Sequence, residues 1–467
     1  MSVGAAQRTE TIGNFIGGRE VGAASGGVFE KLDPATGEMR SLVARSGRAD
    51  VEAAVAAAAD AQPAWAQRTA VDRGLVLRRI AELLARDRER VAEIVAGETG
   101  KSPSEAGAET DGATEMGYFV AGEGRRLYGR TTTSAVPNRQ AMTVRQPLGV
   151  AGLIIAANTP IANVAWKVFP ALVCGNAAVL KASEDAPETA LAFSRLAAEA
   201  DLPAGVLNLV QGYGEEAGQP LVEHPGVAIV SFTGSAAVGR MIARLAGERL
   251  AKVCLELGGK NPLIVCDDGD LDRAAEAAAL SAFSNAGQRC AAGSRIIVFD
   301  VVYEPFVELL LERMLGAVER ARAAGARVLA GGQRLDGPEP GGGFYMAPTL
   351  IENADLDSEI SCTEVFGPIA TLHRVPDFEA ALAAANRSPY GLTAAIWTES
   401  VHRAQEFVAR VASGIASVNG PTYGSEPHMP FGGLRNSGTG WREAGTEALD
   451  VYSDLKTVYV NHDPGRI

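Results

Sequence analysis

From Gly149 onward, short apolar runs alternate with longer segments of helical character, and this alternation limits the fold more than any other feature of the chain. Val150 to Ala156, Ala177 to Lys181, Val206 to Val210 and Ala228 to Phe232 read as strands buried on both faces, because their apolar residues continue without a polar alternate. Between them, Ile161 to Leu172, Ala186 to Ala200 and Gly214 to His224 read as helices. Strand, helix, strand in repetition is the signature of a parallel sheet covered by helices, with ligands held beyond the carboxyl ends of the strands.

The flanks are simpler. Asn14 to Gly18 and Asp33 to Glu38 are turns between short strands. Ala49 to Ala106 reads as alanine-rich packing helices, with Leu75, Leu77, Ile80, Leu83 and Leu84 on one face and breaks near Pro63 and between Gly97 and Pro103. Thr131 to Ser134 and Met142 to Arg145 are β-prone, and Val451 to Val460 alternates as a strand. A chain of 467 residues, 47% hydrophobic, has room for two or three domains. A net charge of −13 without a basic patch excludes a nucleic-acid or anionic-membrane partner. The mixed signs of Arg86-Asp87-Arg88-Glu89-Arg90 read as solvated helix faces. The five cysteines form no C-x-x-C pair and have no histidine at metal spacing, which predicts a reducing compartment and no metal site. Met1 to Thr11 holds no apolar core, and the stretch from Leu148 to Ala157 is too short to span a bilayer, so a cytoplasmic location is expected.

Four stretches carry candidate chemistry. In Phe283-Ser284-Asn285-Ala286-Gly287-Gln288-Arg289-Cys290-Ala291-Ala292-Gly293, small residues leave room for a substrate beside the sulfur of Cys290, a candidate nucleophile; the competing reading is a cysteine buried as a small hydrophobe. Thr233-Gly234-Ser235-Ala236-Ala237-Val238-Gly239 follows a strand and opens a helix, which suits a phosphate as well as a purely structural turn. Lys181 and Glu184, in Lys181-Ala182-Ser183-Glu184, suit the hydroxyls of an adenine ribose or form a solvated strand end. Glu256, between Leu255 and Leu257 and before Gly258-Gly259-Lys260-Asn261-Pro262, is either a buried base of raised pKa or an ion-paired carboxylate. Further on, Glu364-Val365-Phe366-Gly367-Pro368 pairs an acid with an aromatic, and Ser417-Val418-Asn419-Gly420 and Pro430-Phe431-Gly432-Gly433 are glycine-rich loops.

Taken in order, Asn158 after a strand, Lys181 to Glu184, Phe232 to Ser235, Glu256 to Lys260, Gly287 to Cys290, Glu364 to Pro368 and Pro430 to Gly433 resemble the aldehyde dehydrogenase superfamily from Asn14 to Val460. The resemblance implies an α/β fold with a Rossmann-type cofactor domain, an α/β catalytic domain and a small β oligomerisation element. Mapped onto this chain, the cofactor domain takes residues 1–123 and 139–256, the catalytic domain 257–440, and the arm and tail 124–138 and 441–467. It implies oxidation of an aldehyde with NAD or NADP through a thioester on Cys290, with Asn158 and the Cys290 backbone N–H holding the oxyanion and Glu256 activating the hydrolytic water. Glu256 places the chain by resemblance in the hydrolytic rather than the acyl-transferring branch. Lys167 matches a position near the substrate, which implies a catalytic role in supporting the oxyanion or a polar group of the substrate. Lys181, Ser183, Glu184, Gly214, Gly234, Ser235, Gly239, Glu364 and Phe366 match the cofactor contacts, and the carboxylate of Glu184 favours NAD over NADP because it repels a 2′-phosphate.

The chain departs from the family pattern after the helix Tyr303 to Val318, where the usual Gly-Asp-Pro loop and Gly-Pro-Ile stretch are missing and Ala326 to Gly332 follows almost directly. This shortening predicts altered cofactor affinity and closure. Trp166 and Tyr423 favour an aromatic or medium-sized aldehyde, whereas Arg289 suits the carboxylate of a semialdehyde or a structural ion pair. A homodimer or homotetramer built through the arm is expected, and a non-catalytic homologue of the same fold is the competing class.

Overall fold

The computed structural model describes residues 11–323, 334–335, 343–352 and 354–466. Two large sheets organise them, one mixed and one parallel. The first has seven strands in the order Lys252–Glu256, Val227–Thr233, Val150–Ile154, Ala177–Lys181, Leu207–Val210, Asn14–Ile16 and Arg19–Val21. Five are parallel, and the strand Asn14–Ile16 adds to their edge antiparallel. The apolar runs are explained by cover on both faces: Ala151 and Leu153 pack into one core with Trp65, Leu77 and Phe169, whereas Val150 and Ile154 pack into another with Val55 and Ile242.

The order of the five parallel strands reverses at Val150–Ile154. Its sequence successor Ala177–Lys181 lies on one side and Val227–Thr233 on the other, so a crevice opens beyond their carboxyl ends. The second sheet has six parallel strands in the order Thr349–Glu352, Ile369–Val375, Arg295–Phe299, Pro262–Val265, Thr393–Trp397 and Ile415–Val418. It too is covered on both faces, with Leu263 and Val265 in one core and Ile264 in the other.

The expected break near Pro63 does not occur. The helix Arg48–Gln67 runs through it, and Trp65, almost fully buried, donates its indole N–H to the Leu172 carbonyl at 2.9 Å. An internal proline costs about 3 kcal/mol, and burying Trp65 offsets it. The break before Pro103 is found, with Gly100 capping Arg88–Thr99 in the left-handed conformation and Ser102 capping Pro103–Glu123. Arg139–Pro147, given above to the cofactor domain, instead forms a long antiparallel ladder with Ser453–Asn461, and Thr131–Thr132 extends that three-stranded sheet. The ladder holds because register places Arg145 against Leu455, within reach of Ser453 and Asp450, to which its guanidinium donates at 2.8 and 2.6 Å. The segment Ala326 to Gly332 lies outside the described residues.

Candidate active site

The carboxyl edge of the seven-stranded sheet faces the amino edge of the six-stranded one, and the candidate residues gather between them. Asn158 lies in the loop that joins Val150–Ile154 to the helix Pro160–Val173. Its side-chain amide donates to the carbonyl of Gln288 at 3.0 Å. An amide carries two N–H donors, and this bond uses one.

Cys290 sits in a turn just before the strand Arg295–Phe299, and the turn is held by many hydrogen bonds. The Asn261 amide donates to the carbonyls of Cys290 and Ala292 at 2.8 and 2.9 Å, and Thr422 donates its hydroxyl to the Ala291 carbonyl at 2.6 Å. Upstream, Asn285, Ala286 and Gly287 are all left-handed, with φ of 50°, 54° and 68°. Two consecutive non-glycine residues in that region are strained, and such strain persists where surrounding structure fixes it. Asn285 is fixed by its own amide, which reaches the carbonyls of Asn158 and Gln288 at 3.2 and 3.1 Å. At Gly287 any side chain would also meet the carbonyl of Gly367, so only glycine fits. Burial, reinforced by the charges of Glu364 and Glu256, pushes the Cys290 thiol up to about 12, and the backbone N–H groups of Ala291 and Cys290 pull the other way.

Glu256 ends the strand Lys252–Glu256 and is 4% exposed. Among the described residues neither of its carboxylate oxygens has a hydrogen-bond partner. Burial and the nearby charge of Glu443 push its carboxyl well above the usual range, against the opposing pull of Lys167 and Arg442. Lys167 is fully buried, its ammonium paired with Glu443 and bonded to the Ser231 hydroxyl at 2.9 Å. Both members of the pair act on Glu256 by their charge, and Glu443 carries no signal in the sequence.

Glu364 folds its carboxylate onto the Gly258-Gly259 turn and accepts from the Gly259 N–H at 3.1 Å, where a side chain at Gly258 would displace it. Burial raises its carboxyl to about 7, with Lys260 opposing. Phe366, two residues on, is exposed and left-handed at φ 58°.

The remaining candidates line the crevice edge of the seven-stranded sheet. Lys181 ends its strand, 2% exposed, and its ammonium lies 3.0 Å from Glu184; Ser183 accepts from the Asp185 N–H at 3.3 Å. Ser235 caps the helix Ala236–Glu248, accepting from the Val238 N–H at 3.4 Å, and Gly234 donates to the Glu256 carbonyl at 3.1 Å. Gly239 packs on Leu257, and Gly214 opens the exposed turn after Leu207–Val210. The Thr233 hydroxyl, at the end of the strand Val227–Thr233 and just before Gly234, is buried without a partner among the described residues.

Asn261 and Asn285 stand in stretches singled out from the sequence, but their work is done through backbone carbonyls that a sequence does not place. No group of His, Cys, Asp and Glu able to hold a metal occurs among the described residues, and no helix there is long and apolar enough to cross a membrane.

Known proteins resemble this chain over nearly its whole length. The model of the aldehyde dehydrogenase family matches residues 21–317 and 311–458. The α-ketoglutaric semialdehyde dehydrogenase of Bacillus subtilis (strain 168) is 38% identical over 478 residues, covering 96% of this chain and 97% of its own length. Among solved structures, a putative aldehyde dehydrogenase from Burkholderia cenocepacia superposes with a TM-score of 0.90 at 36% identity, over 97% of each chain. The betaine aldehyde dehydrogenase from Staphylococcus aureus, in complex with NAD+, gives 0.91 at 31% identity over 97% of this chain and 95% of its own.

Proposed function

Because the chain belongs to the aldehyde dehydrogenase family, we propose that it oxidises a carboxylate-bearing semialdehyde to the dicarboxylic acid with NAD, by way of a thioester on Cys290. The observation that carries this reading is the meeting of Asn158, Cys290 and Glu256 between the facing edges of the two sheets.

The residues of the crevice fit a dinucleotide. A capped helix N-terminus, the orphaned Thr233 hydroxyl and the Lys181–Glu184 pair lie along the edge where the strand order reverses. Lys181 and Glu184 would hold the adenine ribose, with Ser183 and Gly214 beside them; Gly234, Ser235 and Gly239 would shape the pyrophosphate site; Glu364 and Phe366 would hold the nicotinamide ribose and ring. NAD, when bound, supplies a positively charged ring that accepts hydride.

Cys290 as thiolate adds to the aldehyde carbon, and the free N–H of Asn158 with the Cys290 backbone N–H stabilises the resulting oxyanion. The oxyanion re-forms a carbonyl as hydride departs, leaving a thioester on sulfur. Glu256 then takes a proton from water as the water attacks that carbonyl, and the sulfur leaves as thiolate. Its high proton affinity and freedom from hydrogen bonds suit this work, and Lys167 with Glu443 tunes it. Residues 257–440 would act as the catalytic domain against the cofactor domain. The sheet of Arg139–Pro147 and Ser453–Asn461, with Leu455 and Tyr459 exposed, would join copies into a dimer or tetramer.

Arg289 supports the choice of substrate. Its guanidinium lies over the Tyr423 ring at 4.9 Å and 3.6 Å from Glu105, while its Nε is buried without a partner among the described residues. A cation next to the nucleophile, loosely paired, suits a substrate carboxylate. The edge-on Trp166–Phe431 pair, 5.1 Å between centroids, favours aromatic aldehydes as the second reading. NADH formation across semialdehydes, aromatic aldehydes and uncharged aliphatic aldehydes of matched length decides between them. Semialdehydes should lead, and Arg289→Ala should lower their kcat/KM by about tenfold or more while uncharged aldehydes change little. Faster turnover of uncharged or aromatic substrates overturns the semialdehyde reading, and better turnover with NADP overturns the cofactor preference.

A further inference from the structure

The oxyanion donor and the nucleophile belong to different sheets, so something must hold their separation constant. Asn158 is bonded to the Cys290 loop, but that loop is strained at Asn285 and Ala286 and would relax if left to itself. We propose that the start of the helix Pro103–Glu123, with Lys101 just before it, is a bracket that fixes this separation, and that Lys101, Glu105 and Glu109 are positioning residues for the reaction. The inference rests on the roles proposed above for Asn158 and Cys290.

The bracket has two arms. On the Asn158 side, Lys101 donates from its ammonium to the Asn158 backbone carbonyl at 2.7 Å. Lys101 is also paired with Glu109, and the two side chains are only 3% and 6% exposed. Glu109 in turn accepts from the N–H groups of Ile161 and Ala162 at 3.0 and 3.3 Å, which are free donors in the first turn of Pro160–Val173. Loop and helix start are thus pinned from one buried ion pair.

On the Cys290 side, Glu105 accepts from the N–H of the left-handed Asn285 at 2.6 Å and lies 3.6 Å from the Arg289 guanidinium. The Asn285 amide closes the circuit by donating to the same Asn158 carbonyl that Lys101 holds. Glu105 and Glu109 are one helical turn apart on a single rigid helix, so both loops are referred to one element.

Burying two charges is expensive, and a hydrophobic pair would serve stability as well. A lysine is needed only if its directed hydrogen bond to Asn158 matters. A misplacement of about 1 Å at a reacting group can cost about a hundredfold in rate.

The test is a double-mutant cycle on the full-length enzyme, with kcat/KM for the aldehyde and the KM for NAD both measured. Asn158→Ala should lower kcat/KM by about 10²–10³-fold, and Lys101→Met by about 10–10²-fold, each with the KM for NAD within about twofold of the native value. If Lys101 acts through Asn158, the double variant should lie within about threefold of Asn158→Ala alone. Multiplicative losses, or no loss with Lys101→Met, overturn the proposal. Should Lys101→Met fail to fold because Glu109 is left as a lone buried charge, Lys101→Gln with Glu109→Gln removes both charges, and the same cycle is run on that pair and on Glu105→Ala at the more exposed arm. An Asn158→Ala enzyme as active as the native one would instead sink the role of Asn158, which is a different outcome from additivity.

Discussion

The Cys290 turn and the Glu256 carboxyl lie within electrostatic reach of each other, yet they are held by opposite means. The turn is fixed by directed hydrogen bonds from Asn261, Asn285, Asn158 and Thr422. The carboxyl has none among the described residues, and is kept in place by the backbone around it, where Leu257 donates to the Ser437 carbonyl at 2.9 Å and Glu256 bridges Gly438. A nucleophile gains from being still, because its attack geometry sets the rate. A base that must gain a proton, pass it on and meet water gains from having no fixed partner, and burial supplies the proton affinity that hydrogen bonds would take away.

The largest effect that tests this contrast is loss of the nucleophile. If Cys290 is the nucleophile as proposed, Cys290→Ala should reduce NADH formation by more than about 10⁴-fold, with no first-turnover burst. Glu256→Gln should behave differently: a burst of about one NADH per site, followed by steady turnover slower by about 10²–10³-fold as the thioester accumulates. Mass spectrometry of the intact protein would find the acyl group on Cys290. A steady rate near the native one with Glu256→Gln would break the comparison, since the base would then be elsewhere.

Smaller effects should sharpen it. Asn261→Ala frees two carbonyls of the turn and should lower the burst rate by about tenfold, while Glu443→Gln should spare the burst and act on the hydrolytic step. Glu443→Gln removes a negative charge that raises the Glu256 carboxyl, so the pH at which steady turnover reaches half its maximum should fall. Both Cys290 and Glu256 are shifted upward, and the proposed mechanism needs both deprotonated, so activity should rise toward alkaline pH. A steady-state pH profile that Glu443→Gln leaves unmoved would separate Glu443 from the base.

What the sequence makes legible follows the same division. Strands such as Ala177–Lys181 are readable because burial on both faces forces an unbroken apolar run, and Cys290 and Glu256 are readable because each is a chemical group set among residues that contrast with it. Glu443, Lys101 and Glu109 are not readable in this way. Lys101 sits in Gly100-Lys101-Ser102, which looks like any helix junction, and only the fold brings it to the Asn158 carbonyl, 57 positions along the chain. Lys167 was visible as a candidate, but its partner lies 276 positions away, so the sequence could not show that its charge is already taken. Pro63 misleads for a related reason, since the burial of Trp65 that keeps the helix intact depends on a carbonyl of the helix Pro160–Val173.

Glu364 joins the two modes of holding, and its effect should be the smallest. It has a single backbone donor, from Gly259, and a carboxyl raised by burial to about 7. An ionised carboxylate accepts from ribose hydroxyls more strongly than a neutral acid does. Because the pKa of the free protein is raised, the carboxyl is mostly protonated below pH 7 and ionises as the pH passes through it, so the KM for NAD should fall as pH rises. A drop of about threefold to tenfold between pH 6 and pH 8 is expected, the range set by one ionisation centred there. Glu364→Gln keeps the shape, fixes the charge at zero, and should flatten this dependence at the higher KM; because the Glu364 charge also raises the Cys290 thiol, the aldehyde profile should move toward lower pH. If the pH dependence survives in Glu364→Gln, the ionisation belongs to another group, and Glu364 is held by its turn in the way the Cys290 loop is held, as structure rather than as a titrating contact.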